Sequence, residues 1–206
     1  MNLTLVVGSG RCGSTVLSRV LRDHPDILSV GDLPPVVRAG PPPPIARLYR
    51  GLLTRLAARS GRTTIVATAA LHRLPALHTA FPEARLVHLY RDGPDCAVAT
   101  RRRRAALPAL GARWSTDIVD GVALLEMLPA ARTSGLRYED LVHSPEATLI
   151  HLAATLNLPV DGDWLSRSRT HLDTSTIGLA ATLPDEDRAA LEAACAPGMK
   201  ALGLTA

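Results

Sequence analysis

The chain has 206 residues and 47% hydrophobic composition, enough for one packed core and too apolar for a disordered polymer. Aromatic residues make up only 3%, so the core must come from Leu, Val, Ile and Ala, and base-stacking capture of single-stranded nucleic acid is disfavoured. The net charge of +4 is carried almost wholly by arginine, with Lys200 the only lysine, and a forked guanidinium suits phosphate and sulfate oxyanions.

Leu3 to Val7 reads as a fully buried strand, followed by glycines at 8, 10 and 13. Ser14 to Arg22 reads as a helix with Val16, Leu17, Val20 and Leu21 on one face, ended by Asp23-His24-Pro25. Ile27 to Val30 is a short strand with Gly31-Asp32 at its end. Leu33 to Pro44 holds six prolines and is expected to be a loop or stiff flap. Ile45 to Arg59 has helical spacing through Ile45, Leu48, Tyr49, Leu52, Leu53 and Leu56. Thr63 to Ala67 is strand-like and Leu71 to Thr79 helical. Arg85 to Tyr90 is a strand that turns at Arg91-Asp92-Gly93 into a helix over Pro94 to Arg104, with Pro94 in its first turn. Trp114 to Ala131 is mostly helical, and Gly135 to Tyr138 is a short strand. Ser144 to Leu156 is a helix with Ser144 as N-cap and Pro145 at its first position, and Pro184 to Leu202 is a closing helix. Strands alternating with helices predict a single α/β domain over residues 1–206, with a central parallel sheet flanked by helices.

Cys12, Cys96 and Cys195 are far apart and form no Cys-x-x-Cys pair, so neither a zinc site nor a disulfide framework is indicated. No apolar run reaches the roughly 18 residues of a membrane span, and Leu3 to Val7 is too short for a signal-peptide core. The expectation is a cytoplasmic protein with neither membrane nor nucleic acid as partner.

A Gly-rich turn between a buried strand and a helix is a place for phosphate, because unpaired N–H groups and the helix dipole meet there. Three readings compete for Gly8-Ser9-Gly10-Arg11-Cys12-Gly13-Ser14-Thr15. A dinucleotide fold is consistent with G-x-G-x-x-G and with Asp32 nineteen residues past Gly13, but leaves Arg11, Ser14 and Thr15 without roles. An NTP-binding loop fits except that Ser14 stands where its lysine belongs. A cysteine phosphatase is set aside, since Ser18 occupies the place of its arginine.

The third reading rests on resemblance. Gly10 to Leu17 resembles the phosphosulfate loop of PAPS-dependent sulfotransferases of the bacterial and tyrosylprotein type, with Arg11 at the basic position and Ser14 and Thr15 at the hydroxyl positions. His24-Pro25-Asp26 with Gly31-Asp32 is similar to the stretch whose Gly-Glu pair supplies the family's base. Leu86 to Asp95 is similar to the 3′-phosphate segment, with Arg91 at its arginine. Arg137 to Leu141, Pro145 to Leu149 and Leu156 to Pro159 match a further segment, whose tyrosine, here Tyr138, packs near adenine in some members. The chain departs from the pattern at three places. The 3′-phosphate serine is Ala99, for which Thr100 or Arg103 would compensate; the base is Asp32, one methylene shorter than Glu; and a lysine of some members is replaced by Ala67.

The resemblance implies a nucleotide-kinase-like fold that binds PAPS, releases PAP and needs no metal. Gly13 to Val16 with Cys12 would hold the 5′-phosphosulfate, and Arg91, Thr100 and Arg103 the 3′-phosphate. Arg11 would stabilise developing charge and Asp32 would take the proton, with His72 and His171 as rival bases. The acceptor is expected to be a small hydroxylated molecule in a pocket walled by the proline loop, the helix from Ile45, and Ala105 to Trp114. The arginine-rich composition suggests a high-GC bacterium and natural-product tailoring. A nucleotide-binding module that has lost transfer chemistry is the remaining rival.

Overall fold

The computed structural model describes residues 2–34, 43–100 and 103–204. Five strands form one sheet: β1 (Asn2–Gly8), β2 (Ile27–Asp32), β3 (Thr64–Ala70), β4 (Arg85–Tyr90) and β5 (Thr133–Arg137). Their order is β2-β3-β1-β4-β5 and every pairing is parallel. The helices between them are α1 (Ser14–Arg22), α2 (Pro43–Ser60), α3 (Leu74–Ala80), α4 (Gly93–Val98), α5 (Leu107–Glu126), α6 (Tyr138–His143), α7 (Pro145–Leu156), α8 (Gly162–Ser168) and α9 (Asp185–Ala201).

A parallel sheet must be covered on both faces, which is why β1 is apolar at nearly every position. Leu3, Leu5 and Val7 point into one core, shared with Leu53 of α2, Ile118 of α5 and Leu191 of α9. Val6 points into the other, where Leu17 and Val20 of α1 meet Leu149 of α7 and Trp164 of α8. The strands' C-terminal ends form one edge. There the chain leaves β1 for the outlying β2, while β3 and β4 flank β1 on either side, and ligands of open α/β sheets gather at such a switch point.

The expected α/β architecture is what the structure contains, with local differences. α4 ends at Val98 rather than at Arg104, and α5 begins at Leu107, seven residues before the expected Trp114. Tyr138 opens α6 instead of closing a strand, and Ser144 precedes α7 without a side-chain capping bond. α8 was not expected, although its signal was present: Asp161 accepts from the Trp164 backbone N–H at 2.6 Å as an N-cap. The inner face of α2 is Ala46, Leu53 and Ala57, whereas Leu48 and Leu52 are exposed. Both stripes obey helical spacing, and the one carrying Ala46, Leu53 and Ala57 is the one buried. Most of the proline segment, residues 35–42, lies outside the described residues, as do Arg101 and Arg102.

Candidate active site

The loop after β1 is shaped by two left-handed residues. Gly13, the N-cap of α1, has φ 99°, and Arg11 has φ 67°. A Cβ on Gly13 would enter the Tyr138 ring, and one on Gly8 would come within 2.5 Å of the Leu89 carbonyl oxygen. Gly10, by contrast, faces open space. The first helical bond runs from Leu17 N to Gly13 O at 3.0 Å, so the N–H groups of Ser14, Thr15 and Val16 have no backbone acceptor among the described residues, that of Ser14 turning to the Cys12 sulfur. The Ser14 and Thr15 hydroxyls stand on the same turn. Helix and loop together make an anion cradle at the ligand edge of the sheet.

From the β4 side the loop is braced by Arg91, which is only 4% exposed. Its Nη1 donates to the Arg11 carbonyl at 3.2 Å, its Nη2 donates to the Thr176 carbonyl, and its guanidinium lies 4.9 Å from the Tyr138 ring centroid. Asp95 pairs with Arg91 at 3.7 Å and accepts from the Gly178 and Ala180 amides at 2.7 and 2.9 Å. Sequence reasoning missed Asp95, although its i,i+4 spacing from Arg91 on a turn-to-helix junction was a usable signal. Tyr138 is 2% exposed, with its hydroxyl 3.1 Å from Thr176 Oγ1. The structure thus sets Arg91 and Tyr138 beneath the loop as supports.

Cys12 is buried, and burial pushes its thiol up to about 11 despite the nearby helix start and Arg91. A thiol held protonated is no nucleophile, consistent with setting the phosphatase reading aside.

On the opposite side of the loop lies a cleft of about 250 Å³. Gly8 to Arg11 form one wall, Ala70 at the end of β3 and His72 just after it a second, Cys96 and Ala97 of α4 with Thr100 beyond its end a third, and Leu110, Arg113, Trp114 and Asp117 of α5 the fourth. Its charged or titratable side chains are Arg11, His72, Cys96, Arg113 and Asp117. Two buried polar atoms of lining residues, Ser9 Oγ and Trp114 Nε1, have no hydrogen-bond partner among the described residues. A larger cavity of about 870 Å³ between α4, residues 177–181 and α9 includes no residue of the loop.

The other expected site residues are placed as follows. Asp32 is exposed at the end of β2 and accepts a bond from Thr68 Oγ1. With β3 between it and β1, it stands roughly 10 Å from the loop strand at the usual strand spacing. Thr100 lines the cleft, its hydroxyl donating to the Ala97 carbonyl at 2.8 Å, and Arg103 is exposed. Ala67 is fully buried within β3, so a cation there would have to be supplied from elsewhere. His171 is held 2.8 Å from Asp23 at the C-terminal end of α1, on the edge opposite the loop. His24 is bonded to the Pro159 carbonyl and the Asp26 amide. Of the segments expected to wall an acceptor pocket, α5 lines this cleft, α2 does not, and the proline segment is not described at residues 35–42. Among the described residues no three His, Cys, Asp or Glu are grouped as a metal would require, and no helix is long and apolar enough to cross a membrane.

Fold and loop define an α/β protein with a glycine-rich loop opening a helix at the β1–α1 junction. The model of the sulfotransferase family matches residues 44–162, more than half of the chain, and the chain belongs to that family. Among solved structures, the sulfotransferase domain of the Synechococcus PCC 7002 olefin synthase superimposes with a TM-score of 0.64 at 20% identity, covering 94% of this chain and 87% of that one. The sulfotransferase domain from the curacin biosynthetic pathway gives 0.65 at 16% identity, covering 94% and 97%. A mouse sulfotransferase complexed with PAP gives 0.62 at 12% identity, covering 97% and 84%. At such identities these likenesses speak to the fold. No curated protein sequence matches.

Proposed function

We propose that this protein transfers a sulfuryl group from PAPS to a hydroxyl of a small molecule. The observation that carries the reading is the cradle at the start of α1, with three N–H groups that have no backbone acceptor among the described residues and two hydroxyls, in a chain of the sulfotransferase family. Bound PAPS supplies the sulfuryl group, and PAP leaves with the electron pair of the broken sulfur–oxygen bond.

The chain's own parts divide the work. Backbone N–H groups of Gly13 to Val16, with Cys12 contributing backbone alone, and the Ser14 and Thr15 hydroxyls hold the 5′-phosphosulfate. Arg11, exposed at the loop's tip, offsets charge building on the leaving oxygen. Arg103 and Thr100 receive the 3′-phosphate. Arg91 joins them only by giving up its bond to the Thr176 carbonyl, and otherwise holds the loop in shape. Asp32 or His72 takes the proton of the attacking hydroxyl. His72 has the better position, because it shares the cleft with Arg11 whereas Asp32 is bonded to Thr68 two strands away. The protein acts as a single domain in the cytoplasm, without a metal, and natural-product tailoring is the setting that the two biosynthetic neighbours suggest.

Thermal unfolding with PAP, ATP plus Mg²⁺ and NAD⁺ in parallel tests the donor. PAP at about 100 times its dissociation constant should add roughly 2.7 kcal/mol, and the other two nothing. A shift with NAD⁺ or ATP instead would reassign the loop. The base is tested by PAPS-dependent turnover across a panel of phenols and alcohols. His72→Ala is expected to lose about 10²–10⁴-fold and Asp32→Ala much less; the reverse order would return the role to Asp32.

A further inference from the structure

Half of the large apolar side chains exposed among the described residues stand on one helix. Ile45, Leu48, Leu52 and Leu56 of α2 are 37, 76, 50 and 40% exposed, whereas Val119, Met127, Ile150 and Val160 are scattered over α5, α7 and the chain just after each. Isolated apolar residues on a surface need no explanation, but spacings of three, four and four make a continuous ridge. At about 1.5 Å per residue the ridge runs for about 16 Å along the helix. The opposite stripe, Ala46, Leu53 and Ala57, already faces the core, so the ridge is not needed to fix α2 to the sheet.

The ridge is basic as well as apolar. α2 carries four arginines and no carboxylate. Arg50 pairs with Glu83 at 2.7 Å. Arg47, Arg55 and Arg59 are exposed and have no ion-pair partner among the described residues. At about 3.6 residues per turn, Arg55 and Arg59 project within about 20° of Leu48, in line with the ridge rather than beside it. Protein–protein interfaces separate an apolar core from a charged rim. Leucine and arginine along one line suit a lipid surface, where leucine enters the acyl layer and the long arginine stem lets its guanidinium reach back to phosphate. The shape agrees: α2 offers a convex flank and lines neither cavity described above, so a partner's helix finds no groove in them beside it. Crossing a bilayer and lying on it are different demands, and only the first needs a long apolar helix.

We propose that this face of α2 docks the protein on an anionic lipid surface, with Ile45, Leu48, Leu52 and Leu56 entering the interface and Arg47, Arg55 and Arg59 holding lipid phosphates. The inference is independent of the donor and acceptor readings above.

Co-sedimentation with vesicles tests it. The protein is expected to bind phosphatidylcholine vesicles containing about one-third phosphatidylglycerol at least about tenfold more tightly than pure phosphatidylcholine, and added salt should erase most of the difference. Arg55→Gln with Arg59→Gln should weaken binding to the anionic vesicles at least about tenfold, and Leu48→Ser with Leu52→Ser by a similar factor. All four positions are exposed, so both variants should keep Tm within about 2 °C of the unaltered protein. Val119→Ser with Ile150→Ser, exposed but off the ridge, should leave binding within about twofold. Absence of binding to the anionic vesicles, equal binding to both compositions, or equal losses in all three variants would overturn the assignment. So would a dimer in solution that Leu48→Ser with Leu52→Ser dissociates, which gives the ridge to a second copy, or capture by soluble polyglutamate without capture by vesicles, which gives it to an acidic protein.

Discussion

His88 sits in β4 with its ring buried and its Nε2 unpartnered among the described residues, and burial lowers its pKa from 6.5 to about 4. In the unfolded chain the ring takes a proton near pH 6.5, while in the folded chain it resists until about pH 4. The unfolded state therefore binds more protons across that window, and stability falls as pH falls through it. Between pH 8 and pH 5 this one group should remove about 2 kcal/mol. Urea midpoints of the protein and of His88→Leu at the two pH values check it, the variant losing less on acidification. Gly13 carries a second residue-scale expectation. Its φ of 99° and the Tyr138 ring exclude any side chain, so Gly13→Ala should lower Tm by about 4 °C or more. Gly10→Ala, with open space around it, should stay within about 1 °C. The glycine pattern was readable in the sequence, but which glycines are sterically required was not, because the colliding groups include the Leu89 carbonyl of β4 at Gly8 and the Tyr138 ring of α6 at Gly13.

At the scale of elements, Asp95 on the short helix α4 ties the segment through Gly178 and Ala180 to Arg91 and hence to the loop. Removing it leaves a buried guanidinium short of a partner and frees two amides, a change that costs about 3–5 kcal/mol for a buried pair. Asp95→Ala is expected to speed hydrogen exchange at Gly178 and Ala180 well before exchange in β1 and β4. If their protection is unchanged, Asp95 does not hold the segment. The helix α2 shows the limit of periodicity. Ile45, Leu48, Leu52 and Leu56 form one apolar stripe and Ala46, Tyr49, Leu53 and Ala57 another, and the fold turns the second inward, burying all of it but Tyr49, which is half-buried. Periodicity announces that a helix has an apolar face, but only the neighbouring strand decides which face fits. The six residues of α6 span less than two turns, too few for any period to declare itself.

Across the whole molecule, local rules were enough for the architecture. Buried strands followed by amphipathic helices can only make a covered parallel sheet, and a Gly-rich turn entering a helix makes an anion cradle wherever it occurs. The α/β class and all five strands therefore follow from neighbouring residues alone, and the ordered resemblance of four segments pointed to the sulfotransferase family to which the chain belongs. What the tertiary structure alone decided is which distant side chains meet. It buries Arg91 and Tyr138 under the loop, keeps Asp32 two strands away, sends His171 to the opposite edge, and gathers Ser9, His72, Arg113 and Trp114 around one cleft. Those meetings depend on strand order and on helix rotation. Both are set by packing between residues tens of positions apart, and alternation along the chain does not encode them.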